Sequence, residues 1–188
     1  MKKPTYKHPK FVSDSSDKRI ESENKRLWLS ITIDKDLDET LIVILKNPSR
    51  ATKDISDKTV FTVTNYVYNN KENYDVLKNI GKIVILNLIP FYETYSHLLS
   101  LKDFSIIDKE NLETLNTFTK QNKNVIIAWG NPPANLHKEY NFLKNKVLEF
   151  LKNNKNDVYY VDRFSNLKNP KHGQVWGYKD KLIKFSFM

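Results

Sequence analysis

The chain has 188 residues, a formal charge of +9 and no cysteine, which excludes disulfides, iron–sulfur clusters and thiolate zinc sites. That length allows one sizeable core but not two ordinary domains, and 39% hydrophobic with 12% aromatic residues is enough to build it. The longest apolar runs, Thr40 to Leu45 and Ile83 to Phe91, fall far short of the roughly 18 residues a membrane span needs.

Met1 to about Lys25 is rich in Lys, Ser, Asp and Glu and reads as a basic arm with the composition of a flexible segment, leaving 26–188 as a single domain. Its first residues lead into Ser and Asp instead of an apolar stretch, which argues against a cleaved signal peptide and for the cytoplasm. Leu27, Leu29, Ile31 and Ile33 alternate with polar residues, the period of a half-buried strand. Asp34 to Glu39 then reads as a hairpin turn. Leu41 to Leu45 is a continuous aliphatic run of the kind buried on both faces of a parallel sheet. Thr59 to Tyr74 has apolar residues compatible with a helix, although its β-branched residues weaken helix propensity. Lys82 to Asn87 reads as a strand, Lys109 to Phe118 as a helix and Asn124 to Trp129 as a strand. Tyr140 to Leu151 is an amphipathic helix and Asp157 to Val161 a fourth strand. The alternation predicts an α/β fold: three α/β/α layers around a mostly parallel four-stranded sheet, plus an N-terminal hairpin.

Ligands of such sheets bind at the carboxyl ends of the strands. The predicted strands end in Asn47-Pro48-Ser49, Asn87-Leu88-Ile89 and Trp129-Gly130-Asn131, and Asn169-Pro170-Lys171-His172-Gly173 follows the last. An isolated Asn-Pro pair is ordinarily a turn; three polar loops after three successive aliphatic strands place their side chains on one rim.

Leu41 to Ser49, Ile83 to Thr94, Val125 to Asn131 and Asn169 to Gly177 resemble the signature of an uncharacterised bacterial family, the domain of unknown function numbered 1643. That family in turn resembles the uracil-DNA glycosylase superfamily, whose members carry a water-handling loop, a strand ending in a base-reading Asn, a strand ending in Trp-Gly and a late His-Pro-Ser or Asn-Pro-Ser loop. The resemblance implies that Asn47 positions water, held by Pro48, and that Asn87 reads the amide edge of a base with one donor and one acceptor. It puts Phe61 against an extruded base, Ser49 where uracil-specific enzymes place a methyl-excluding Tyr, and Lys46 where they have a small or amide residue. His172 or Asn169 takes the place that stabilises the departing base. Lys46 and Lys171 are candidate contacts to DNA, and Trp176 or Val175 a wedge for the vacated stack.

An amide orients water but cannot take its proton, so slow hydrolysis of a uracil N-glycosidic bond is expected, with no metal and no cofactor. His137-Lys138-Glu139 superficially matches the His-x-Glu of nucleobase deaminases, whose zinc site needs cysteines this chain lacks. The basic charge suits DNA, single- or double-stranded, as partner; a protein inhibitor or a replication or repair protein is a further partner the resemblance allows. The alternatives are a pocket that binds DNA or a nucleobase without useful catalysis, and an enzyme acting on free nucleosides or nucleotides.

Overall fold

A computed structural model describes residues 4–93, 95, 98–99 and 105–187. Thr94, at the end of one signature segment, lies outside them. The described elements run β1 (Thr5–Tyr6), β2 (Asp14–Ile20), β3 (Lys25–Thr32), β4 (Glu39–Leu45), β5 (Ser56–Asp57), α1 (Lys58–Asn69) and α2 (Asp75–Lys78). They continue with β6 (Ile80–Asn87), α3 (Lys109–Gln121), β7 (Asn124–Ile127), α4 (His137–Asn153), β8 (Asp157–Val161) and β9 (Leu182–Lys184).

The fold is α/β. One mixed seven-stranded sheet runs in the order β2-β3-β6-β4-β7-β8-β9, with β6, β4, β7 and β8 mutually parallel and β2, β3 and β9 antiparallel to their neighbours. Strands β1 and β5 form a separate two-stranded ribbon. The pleat of β4 divides the core. Leu41, Val43 and Leu45 pack with Val60, Val63, Tyr66 and Val67 of α1, whereas Ile42 and Ile44 pack with Leu115 of α3 and Tyr140, Leu143 and Val147 of α4. An uninterrupted aliphatic run is what a strand covered on both faces requires.

Three expectations are corrected. Among the described residues the sheet has seven strands, not four. The segment read as a flexible arm supplies β1 and β2; β2 forms a hairpin with β3 through a 3-10 turn at Glu21–Glu23, closed by Asn24 at φ 50°. Its charged residues hid it, yet they suit an edge strand: Arg19 pairs with Asp17 and Glu21, and Lys18 with Glu110, and charge on an edge discourages pairing with another chain. Finally, Asp34 to Glu39 does not join two neighbouring strands, because β6 inserts between β3 and β4. The turn wraps the start of β6 instead: Ile33 and Asp34 donate their N–H groups to the Gly81 carbonyl, and a Cβ on Gly81 would stand 1.9 Å from the Leu37 carbonyl oxygen.

The predicted helix from Thr59 to Tyr74 is shorter in the structure. Asp57 caps α1 by accepting from the Val60 N–H at 2.9 Å, and the chain leaves the helix at Asn70, whose amide donates to the carbonyls of Tyr66 and Tyr178.

Candidate functional site

The carboxyl ends of the parallel strands carry a cleft of about 490 Å³, lined among others by Lys46, Asn47, Ser49, Glu93 and His172. Its floor extends the sheet beyond the formal strand ends. Leu45 faces Asn87 in register; past that point Leu88 donates to the Leu45 carbonyl and Ile89 to the Lys46 carbonyl, both at 2.9 Å. The segment after β6 therefore stays beside the segment after β4.

Asn47 is held by this pairing. Its Nδ2 donates to the carbonyls of Pro48 at 2.9 Å and Glu93 at 2.7 Å, which uses both amide hydrogens and leaves Oδ1 as an acceptor without a protein partner among the described residues. Pro48 is buried beneath and accepts from the Glu93 N–H at 3.0 Å. An amide oxygen fixed in this way can accept from a water or from an N–H of a ligand.

His172 reaches the same cleft from the other end of the chain. Its Nδ1 accepts from the Gln174 backbone N–H at 3.2 Å, capping a 3-10 turn at Gly173–Val175. A ring that accepts at Nδ1 carries its proton on Nε2. Two glycines let the loop settle there. Gly130, at φ +67°, leaves room for His172: an added Cβ would lie 2.9 Å from the His172 Cβ. At Gly173 an added Cβ would meet Val63 at 2.7 Å and Leu45 at 3.1 Å, so the loop sits directly on the end of β4 and on α1.

Lys46 lines the cleft half-buried, and burial pushes its ammonium below the usual lysine range. Ser49 lines the cleft beside it.

The remaining candidates lie elsewhere. Asn87 is 0% exposed and does not line the cleft; neither of its amide atoms has a hydrogen-bond partner among the described residues. Its backbone carbonyl is fixed by Asn111, whose Nδ2 donates to the carbonyls of Asn87 at 3.0 Å and Leu88 at 3.2 Å. Phe61 lines an adjoining groove with Trp176 and Lys171 and lies 5.5 Å from the Tyr6 ring. The two hollows meet at Lys58, Gln174 and Val175.

Three candidates are engaged by their own surroundings. Trp176 is 6% exposed, donates from Nε1 to the Lys171 carbonyl and packs edge-on against Tyr66, so it is a core residue; Val175, the alternative wedge, is 58% exposed. The Lys171 ammonium lies 3.0 Å from Asp162 and 2.6 Å from Asp180, which occupies it internally. Asn169 is buried in a loop network, donating to Leu167 O and Asn131 Oδ1 and accepting from Lys144; of the pair Asn169 and His172, only His172 lines the cleft. Sequence reasoning singled out neither Glu93, although it lies inside the Ile83 to Thr94 signature segment, nor Asn111, which no motif marks.

The family model for a protein of unknown function, DUF1643, matches residues 25–174. The chain belongs to the DUF1643 family. The match runs from the start of β3 through the His172 loop, so it takes in both Asn47 and His172. No curated protein and no solved structure matches the chain. Among the described residues no helix is long and apolar enough to cross a membrane.

Proposed function

We propose that this DUF1643 protein binds DNA through the cleft at the carboxyl rim and slowly hydrolyses the N-glycosidic bond of a flipped uracil, in the manner of the uracil-DNA glycosylases. The observation that carries the reading is the pairing of Asn47 and His172 in one cleft, each with its second polar atom tied back to the main chain. The four parallel strands with α1 on one face and α3 and α4 on the other support a glycosylase-like three-layer arrangement.

In this reading Asn47 Oδ1 accepts a hydrogen bond from the attacking water and aims its lone pair at C1′. The Nε2–H of His172 donates to the base carbonyl oxygen, where negative charge gathers as the bond breaks, and so stabilises the leaving group. Asn47 cannot take the water's proton, which makes the reaction slow. Asn87 is the base-reading residue of this proposal, its amide donor and acceptor having no hydrogen-bond partner among the described residues. Cytoplasmic location and a role in DNA repair belong to the same proposal.

The amide at position 47 also favours a second reading, a DNA-binding module without turnover. Excess protein incubated with a uracil-containing single-stranded oligonucleotide separates them: chromatographic detection of free uracil supports hydrolysis, and salt-sensitive binding without release supports the module.

A further inference from the structure

Most lysines near carboxylates in this fold are spoken for: Lys25, Lys71, Lys171 and Lys184 each form ion pairs. Lys46 differs. It lines the cleft next to Asn47, and its Nζ has neither a hydrogen bond nor an ion pair among the described residues. Its main chain is fixed by the Ile89 N–H at 2.9 Å, which anchors the residue at the strand rim. One carboxylate of the cleft, Asp57, is held by the N–H groups of Val60 at 2.9 Å and Arg50 at 3.3 Å. A partly desolvated amine without a counter-ion is the form in which lysine acts as a nucleophile toward carbonyl carbon, and burial favours the uncharged amine here.

We infer that the Lys46 amine attacks the C1′ aldehyde of an abasic deoxyribose held in the cleft and forms an imine with it. The Nζ lone pair forms the bond to C1′, the aldehyde oxygen takes up protons and leaves as water, and a C=N bond joins protein to DNA. The step needs no oxidant or reductant. The product of base removal thereby becomes a covalent ligand of the same site. The inference rests on the proposed function only for the identity of the sugar.

The test uses an oligonucleotide with one preformed abasic site and sodium borohydride, which adds hydride to the imine and makes the adduct permanent. Wild type is expected to give a protein–DNA adduct whose peptide map places the modification on Lys46. Lys46→Ala and Lys46→Arg should lower the yield at least about tenfold, while Lys120→Ala, on the exposed face of α3, should leave it unchanged. Lys46→Arg keeps the positive charge, so its loss of adduct separates nucleophilicity from electrostatic binding. No adduct from wild type, an undiminished yield with Lys46→Arg, or modification mapped to other amines would overturn the inference. Because the abasic site is preformed, base release without an adduct removes this inference alone, and an adduct without base release removes the hydrolysis reading alone.

Discussion

Gly130 and His172 are packed so closely that a single methyl group on the glycine would come within 2.9 Å of the histidine Cβ. The end of β7 thus sets the position of a side chain 42 residues later in the chain, and it does so at φ +67°, where an L side chain is also strained. Gly130→Ala is expected to cost about 1–3 kcal/mol of stability and to displace the imidazole. Urea denaturation checks the first effect. The second should appear as a loss of uracil release comparable to that of His172→Ala under conditions where the variant remains folded.

Asn47→Asp introduces a carboxylate where a general base is missing, yet it is expected not to accelerate the reaction. The carbonyls of Pro48 and Glu93 both accept from the Asn47 amide, and a carboxylate oxygen in that place has no hydrogen to donate. The loss should cost about 1–3 kcal/mol. A variant that melts at or above the wild-type temperature and releases uracil faster would show that the orientation of Asn47 is not what the site depends on.

Trp176 and Val175 should behave oppositely although they are adjacent. Trp176→Ala removes a ring packed against Tyr66 and is expected to cost about 3–5 kcal/mol. Val175→Ala should change stability by no more than about 0.5 kcal/mol while weakening DNA binding, because the exposed side chain stands where the two hollows meet. Equilibrium unfolding and fluorescence anisotropy with a labelled oligonucleotide check both.

The attachment of β9 should be sensitive to acid. Hydrogen bonds from Lys184 and then Lys123 hold the Asp157 carboxyl below its usual range, with Lys184 Nζ at 2.8 Å. A carboxylate whose folded-state pKa is depressed contributes stability that is fully present above its unfolded pKa and is lost as pH falls through the folded pKa. Asp157→Asn should therefore be less stable than wild type at neutral pH, with the gap closing once the solution is acid enough to protonate the native carboxyl. A gap that stays constant down to that range would remove Asp157 ionisation as its cause.

The parts of the fold that were legible in the sequence are those whose burial is dictated by composition. Leu41 to Leu45, Lys82 to Asn87 and Asn124 to Trp129 became β4, β6 and β7 because their aliphatic residues are covered on both faces, and Asp157 to Val161 became β8 with Val158 and Val161 buried. Strands β2 and β9 were not legible, since half-exposed edge strands carry charges that look like loops. Strand order was beyond local pattern as well: nothing between Thr32 and Glu39 indicates that a strand beginning at Ile80 will insert between its flanks. At the site, Asn47 and His172 stood out as polar residues following strands, whereas Glu93 and Asn111 matter through contacts made 46 and 24 residues away. The burial of Trp176 is not legible locally, because the Tyr66 ring and the Lys171 carbonyl that hold it inward are brought to it by the tertiary fold.

The most direct measurement is the single-turnover rate of uracil release from single-stranded DNA by wild type, Asn47→Ala, His172→Ala and the double variant. The account predicts a slow but measurable wild-type rate that falls by at least about tenfold in each single variant, since one side chain handles the water and the other the departing base. A wild-type rate indistinguishable from the protein-free control, or a rate unchanged by His172→Ala, would contradict it.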